Sequence, residues 1–259
     1  QALTRSGVKA DLIGRMHFTG EDQVGEFGRR ILGEISAAPP GTPLEHPYLW
    51  KTLPRETTDQ KRRSVEHSGT GDSFYQWFDE VVTEKTCEYL ECQAREGDPF
   101  VAVSGMVLPH CPFIAPEDLF EYYWEATPEV AAGMDFPEAY QTYLEDRELV
   151  DPPISPIRKK IARAAYFALC ELVDRQVGKI LNTLEETGLD KSTLVLYTSD
   201  HGEMAGHKEG WWKSCFYEPS VGIPLLMRAP PGMFPPRSIP QVCNLIDVGP
   251  TVLDLLGIG

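Results

Sequence analysis

A carboxylate beside an imidazole, and a lysine shortly after them, are the residues best suited to chemistry. Asp200 and His201 are adjacent and offer oxygen and nitrogen ligands to a divalent metal ion. Lys213 follows Trp211 and Trp212, as an anion-binding lysine beside large aromatic rings would. Ordinary interpretations are a capped turn for the pair and a surface lysine whose stem packs on apolar side chains.

Two histidines are the other candidates for proton transfer, since imidazole titrates near neutral pH. His110 lies between Pro109 and Pro112, which fix the backbone around it, and Arg15 stands two residues before His17. A hydrogen-bonded loop histidine is the ordinary interpretation of each. Residue type and spacing alone leave the two interpretations open.

Strand-like runs precede three of these four clusters. Residues 8–13, 100–103 and 193–198 are apolar and strand-sized, and helical periodicity covers about 74–94 and 158–187. A helix followed by a buried strand, twice over, predicts an α/β fold with a mostly parallel central sheet and helices on both faces. Ligands of such sheets bind beyond the carboxyl ends of the strands, which is where these clusters lie.

Two segments interrupt this pattern. About 35–70 is rich in Pro, Gly, Thr and basic residues, and about 115–156 is acidic and punctuated by prolines. We expect both to be loop excursions from one catalytic domain that spans 1–259. The chain has neither an initiator methionine nor a signal peptide at its start, and it stops in apolar sequence. We therefore expect a domain truncated at both ends.

Composition excludes some partners. With 24 Lys and Arg against 39 Asp and Glu, the net charge is −15, so we expect no nucleic-acid partner. The apolar runs are too short for a membrane span. Neither asparagine begins an N-x-S/T site, which favours a bacterial cytoplasmic or periplasmic protein over a glycosylated lysosomal or secreted one. Compartment and oligomeric state stay open.

Six segments of the chain resemble motifs of the sulfatase family in the alkaline-phosphatase-like superfamily. The family motifs are G-K-x-H, P-H-x-P-F, S-D-H-G, G/W-K-x-x-x-Y-E, D-x-x-V-G-x-I-L and D-x-x-P-T-L-L-D. The matching segments here are Gly14-Arg15-Met16-His17, Pro109-His110-Cys111-Pro112-Phe113, Ser199-Asp200-His201-Gly202, Trp212-Lys213-Ser214-Cys215-Phe216-Tyr217-Glu218, Asp174-Arg175-Gln176-Val177-Gly178-Lys179-Ile180-Leu181 and Asp247-Val248-Gly249-Pro250-Thr251-Val252-Leu253-Asp254. Met16-His17-Phe18 and Asp22-Gln23 look closest to the choline-sulfatase-like branch.

The resemblance implies an alkaline-phosphatase-like sandwich and metal-dependent hydrolysis of a small-molecule or carbohydrate sulfate monoester. By similarity, Asp200 and His201 are ligands of one divalent metal ion, first Ca²⁺, with Mg²⁺ or Mn²⁺ as alternatives. His110 and Lys213 would bind sulfate and stabilise or protonate the departing alkoxide, and His17 would accept a proton.

Two departures from the family pattern matter. The family's nucleophile, a formylglycine made from Cys or Ser in a C/S-x-P-x-R segment, and two further metal aspartates have no match in this chain. We expect them upstream, so the 259-residue chain alone should be inactive. Arg15 replaces the usual lysine, and a guanidinium can hold sulfate bidentately but cannot donate a proton at ordinary pH. The alternatives are a phosphodiesterase or phosphonate monoester hydrolase on this scaffold, or a non-catalytic anion-binding homologue.

Overall fold

The computed structural model describes residues 2–18, 22, 24–25, 27–33, 60–130 and 136–258. The helices are α1 (Ala2–Arg5), α2 (Arg62–Glu66), α3 (Phe74–Glu96), α4 (Glu117–Ala126), α5 (Glu138–Asp146), α6 (Pro156–Thr187), α7 (Glu218–Val221) and α8 (Val248–Leu255). The strands are β1 (Lys9–Gly14), β2 (Arg29–Leu32), β3 (Gly69–Thr70), β4 (Phe100–Gly105), β5 (Ile114–Ala115), β6 (Val195–Thr198) and β7 (Leu225–Arg228).

Strand β1 lies between β2 and β4 in a parallel sheet. Its pairing with β4 runs without a break from Lys9 opposite Phe100 to Gly14 opposite Gly105. All of β1 except Lys9 is buried, which explains why its sequence is largely apolar. Because β1 and β4 are parallel and in register, the segments that follow Gly14 and Gly105 leave the same edge of the sheet.

Gly14 and Gly105 permit a very close approach of the two chains at this edge. A Cβ on Gly14, which has φ +90°, would lie 2.4 Å from the Gly105 carbonyl oxygen, and a Cβ on Gly105 would lie 1.7 Å from the carbonyl oxygen of Arg15. The Arg15 amide donates to the Gly105 carbonyl at 2.8 Å. Only glycine fits at these positions without backbone movement.

Local signals at the ends of the two long helices explain why both agree with the sequence prediction. Ser73 caps α3 and Ser155 caps α6, each by accepting a hydrogen bond from a backbone N–H of the first turn. Gly97 and Gly188 end them in the left-handed conformation. Helix α3 packs on β1, β4 and α6, so it covers the sheet that leads to the candidate site.

Strand β6 differs from its expected place in a single parallel sheet. Within the described residues it pairs with β7, antiparallel, from Val195 opposite Arg228 to Thr198 opposite Leu225. It is only partly buried, and Tyr197 is 37% exposed. The pairs β1–β2, β1–β4 and β3–β5 are parallel, so the prediction of a mostly parallel α/β fold is confirmed.

The segments expected to be loop excursions contain regular structure. The stretch 115–156 holds α4 and α5, because Pro116 and Pro137 stand at helix starts, where a fixed φ is favourable, rather than inside loops. Residues 60–70 hold α2 and β3, whereas 34–59 lie outside the described residues. No helix in the described ranges has the length and apolar character needed to cross a membrane.

Replacing Gly105 with alanine should destabilise the protein by about 2 kcal/mol or more, since a backbone carbonyl must move to admit the Cβ. Gly178 is the matched control, because it lies inside α6 and, apart from the neighbouring helix backbone, no atom lies within 4 Å of its would-be Cβ. Gly178→Ala should raise the free energy of unfolding by about 0.5–1 kcal/mol, because alanine has a higher helix propensity than glycine. Urea unfolding followed by circular dichroism measures both, and equal stabilities for the two variants would contradict the close approach.

Candidate active site

Four of the residues singled out in the sequence converge on one region. Burial is the main cause that lowers the pKa of the His110 imidazole, and Lys213, Arg15 and His201 lie near enough to contribute to the same lowering. The Lys213 Nζ is 2.7 Å from the His201 Nε2. Residues that follow β1, β4 and β6 therefore share one site, although β6 belongs to a different sheet in the described residues.

His110 is partly buried and held on two sides. Its Nδ1 lies 2.7 Å from the Cys111 carbonyl oxygen, and its ring meets the Tyr75 ring edge-on, with the centroids 5.9 Å apart. Burial lowers the pKa of His110 to about 4, so the imidazole is neutral at neutral pH. With Nδ1 donating to the carbonyl, Nε2 is left as the nitrogen that can accept a proton. A bound anion would favour the protonated ring.

His201 is oriented in the way that metal-binding histidines commonly are. Its Nδ1 lies 2.8 Å from the Gly202 carbonyl oxygen, so Nε2, which here contacts the Lys213 Nζ, is the ring nitrogen with a lone pair that can serve as a ligand. The Asp200 Oδ2 lies 3.5 Å from that Nε2, and the Asp200 side chain is 71% exposed. Gly202 is required here, since a Cβ would lie 2.1 Å from the Pro219 carbonyl oxygen.

The two adjacent side chains fit one side of a divalent-cation site. A carboxylate oxygen and an imidazole nitrogen are suitable ligands, but Ca²⁺ takes six to eight and Mg²⁺ about six. Among the described residues no group of three or more His, Cys, Asp or Glu side chains is arranged to hold a metal. Asp200 and His201 would thus supply two ligands of a larger set.

Arg15 connects His17 to the site. The Arg15 Nη2 lies 3.2 Å from the His17 Nδ1. His17 is exposed and has φ 57°, a left-handed conformation that is uncommon for a non-glycine residue. The structure therefore places His17 at the rim, beside the guanidinium, whereas His110 and Lys213 are more enclosed.

Residues 203–214, here called the lysine loop, carry Lys213 into the site. Left-handed φ values recur along it at Ala205, Lys208, Glu209, Trp212 and Ser214. Such conformations each cost free energy and persist only where the surroundings enforce them. They indicate that the loop is held in a single shape.

Side chains of α5 and α6 hold the lysine loop by its backbone and by one ion pair. Tyr143 donates to the Trp211 carbonyl, and Tyr140 donates to the Lys208 carbonyl at 3.2 Å. Arg163 donates to the Ala205 carbonyl at 2.7 Å. Lys159 and Glu209 form a largely buried salt bridge. Helices from the segment expected to be a loop therefore support the site.

Two carboxylates near the site, the partly buried Glu203 and the fully buried Asp79, were not identified from the sequence. Glu203 accepts hydrogen bonds from the backbone N–H groups of Ala205 and Trp212, and burial raises the pKa of Glu203 to about 7. Asp79 accepts from the N–H groups of Val107 and Leu108, and burial raises its pKa to about 7 as well. Each one binds the backbone just before a site residue.

A signal for Asp79 was present in the sequence. Phe78 and Val82, on either side of it, belong to the apolar stripe of the predicted helix, so Asp79 is a carboxylate on a buried helix face. A buried carboxylate needs hydrogen-bond donors, which makes it a candidate for a structural or functional role. Glu203, two residues after His201, lies in a loop and carries no comparable periodic signal.

Comparisons with known proteins identify the family and several relatives of this chain. The sulfatase family profile matches residues 1–258. Choline-sulfatase of Rhizobium meliloti is 32% identical over 272 residues, which cover 99% of this chain and 51% of that protein. Arylsulfatase K of Mus musculus is 33% identical over 193 residues, which cover 68% of this chain and 34% of that protein.

The fold is similar to that of solved hydrolases. The phosphonate monoester hydrolase of Silicibacter pomeroyi superposes on all of this chain and on 57% of its own, with a TM-score of 0.71 at 21% identity. This likeness supports the alkaline-phosphatase-like α/β fold. The chain spans about half the length, or less, of the relatives named above. On the match along the whole chain, the protein belongs to the sulfatase family.

Proposed function

We propose that the protein hydrolyses a sulfate monoester of a small alcohol or a carbohydrate. The observation that supports this most directly is the convergence of Arg15, His110 and Lys213 beside Asp200 and His201. A sulfate group carries negative charge, and further negative charge develops on the oxygen of the departing alcohol in the transition state. The positive charges of Arg15 and Lys213, together with the His110 imidazole, can stabilise the charge on the sulfate and the charge on the departing alcohol.

Lys213 and His110 act on the oxygen of the departing alcohol in this proposal. The ammonium group of Lys213 stabilises the growing charge on that oxygen. His110, neutral in the free site, takes up a proton when the anion binds and then donates it to the same oxygen. Arg15 holds the nonbridging sulfate oxygens with its planar guanidinium and orients His17.

Asp200 and His201 would hold a divalent cation, with Ca²⁺ first and Mg²⁺ or Mn²⁺ as alternatives, and the cation would polarise a sulfate oxygen. We infer that the nucleophile is a formylglycine from a C/S-x-P-x-R segment upstream of Gln1. Two more aspartates that bind the metal would also come from upstream. The full-length protein below means the chain that includes that segment. For its location we favour the bacterial cytoplasm or periplasm over a glycosylated lysosomal or secreted one.

A phosphonate monoester hydrolase is the second candidate. It is favoured by the fold similarity to such an enzyme, since one tetrahedral anion site can accept sulfuryl or phosphoryl groups. A non-catalytic anion-binding protein is the third, and it requires that no nucleophile reach the site. Turnover separates all three.

The full-length protein should turn over choline O-sulfate or 4-nitrophenyl sulfate faster than 4-nitrophenyl phenylphosphonate, because the family relatives at 30% identity or more are sulfatases. Initial rates with excess Ca²⁺, Mg²⁺ or Mn²⁺ measure this preference. A preference for the phosphonate would favour the second candidate. Binding of inorganic sulfate without any turnover would favour the third.

His110→Ala and Lys213→Ala should each lower kcat by about 10²-fold or more for choline O-sulfate, and less for 4-nitrophenyl sulfate. The reason is that a poorly acidic alcohol needs its oxygen protonated or charge-stabilised, whereas nitrophenolate leaves readily. Lys191→Ala, in an exposed turn after α6, is the control. An equal loss for both esters would limit the two residues to sulfate binding.

Asp200→Asn should lower metal affinity about 10-fold or more, because it removes a charged ligand. Asp118→Asn is a matched control, since the Asp118 side chain is also 71% exposed and lies on α4 in a 3.7 Å ion pair with Arg175. Metal content after dialysis, by elemental analysis, measures both variants. Equal metal content in the two would show that Asp200 is not a ligand.

A further inference from the structure

Asp79 is a buried carboxylate that the chemistry proposed above does not use. It lies on α3 with no exposed surface. Its Oδ1 accepts from the Val107 N–H at 2.8 Å, and its Oδ2 accepts from the Leu108 N–H at 2.8 Å. Both oxygens thus bind consecutive backbone amides 28 and 29 residues further along the chain.

These amides lead directly to His110. The His110 backbone N–H donates to the Val107 carbonyl at 3.1 Å, so a chain of hydrogen bonds runs from Asp79 through Val107 to His110. Helix α3 also supplies Tyr75, one turn before Asp79, whose ring contacts the imidazole. Helix α3 therefore fixes both the backbone and the ring of His110.

The backbone of the segment between β4 and β5 is limited in the hydrogen bonds that it can donate. Pro109 and Pro112 have no backbone N–H to donate. The backbone N–H groups of Val107 and Leu108, in the same segment, both donate to the Asp79 carboxylate. Without an acceptor, two adjacent buried N–H groups would each cost free energy.

Only a carboxylate provides two acceptor oxygens on one short side chain. A leucine would pack well on this apolar stripe of α3 and would avoid the cost of burying a charge. The nearby positive charge of Arg15 offsets part of that cost. A carboxylate at this position is thus costly for packing and well suited to fixing Val107 and Leu108.

We propose that Asp79 is a positioning residue that holds His110 in the anion site through the backbone of Val107 and Leu108. It touches no substrate. The proposal rests on the function proposed above, because it assigns His110 a role on the departing alcohol. It predicts that the effect of changing Asp79 depends on the presence of His110.

The test is a double-mutant cycle in the full-length protein with Asp79→Asn and His110→Ala. Asparagine keeps one acceptor oxygen but directs an amide NH₂ at the other backbone N–H. Asp79→Asn alone should lower kcat for choline O-sulfate about 100-fold, as a small misplacement of a reacting group does, with less effect on KM and on 4-nitrophenyl sulfate. In the His110→Ala background the same change should cost less than about 3-fold.

Leu90→Ala is the control for a loss of stability alone. Leu90 is buried on the same helix, three turns after Asp79, and belongs to the apolar core there. Leu90→Ala should destabilise the fold and leave kcat unchanged at temperatures where the protein is folded. Equal losses from Asp79→Asn with and without His110 would overturn the proposal.

A readout without turnover separates this proposal from the proposed function. The ¹⁵N resonances of the His110 imidazole should shift in Asp79→Asn and stay unchanged in Leu90→Ala. If no sulfate ester is turned over, the proposed function fails. The ¹⁵N spectrum then still tests whether Asp79 positions His110. An unchanged imidazole signal in Asp79→Asn overturns the positioning role.

A second variant covers the case in which Asp79→Asn does not fold. Asp79→Ser is smaller, and it leaves space for a water molecule that could bridge to Val107 and Leu108. Asp79→Ser is tested in the same double-mutant cycle with His110→Ala and by the same ¹⁵N spectrum of the His110 imidazole. Failure of both variants to fold would assign Asp79 to folding and would also overturn the proposal.

Discussion

The parallel pairing of β1 with β4, which ends at Gly14 opposite Gly105, is the constraint on which the site depends. It brings the segment that carries Arg15 and the segment that carries His110 out of the sheet side by side. The pairing is possible only because neither glycine has a Cβ at the point where the two chains nearly touch. Helix α3 then covers these strands and extends the same constraint to the residues before His110.

Two carboxylates accept hydrogen bonds from irregular backbone in different segments. Irregular backbone next to an anion site leaves N–H groups without strand or helix partners, and buried N–H groups need acceptors. Asp79 accepts from the amides before His110, and Glu203 accepts from the amide just before Lys213. Both site residues are thereby fixed through their backbone, while their side chains remain available for a ligand.

Fold similarity indicates the scaffold, whereas the chemistry of the site indicates the kind of group that could be bound. The likeness to a phosphonate monoester hydrolase at 21% identity shows the scaffold, and one scaffold can host more than one hydrolysis. The family match along the chain and the placement of Arg15, His110 and Lys213 direct the argument to sulfate esters. A single anion site with two cations and an enclosed imidazole is chemically compatible with both sulfuryl and phosphoryl groups.

The sequence by itself determined the long helices, the strands β1 and β4 and the family, because caps, periodicity and short motifs are written in neighbouring residues. It also singles out Lys213 and His110 as candidate site residues. Only the tertiary structure decided that β6 pairs with β7 and that Asp79 accepts from the backbone amides before His110. Each of these depends on which hydrogen-bond and packing partners arrive from distant parts of the chain, and local residue patterns do not encode those partners.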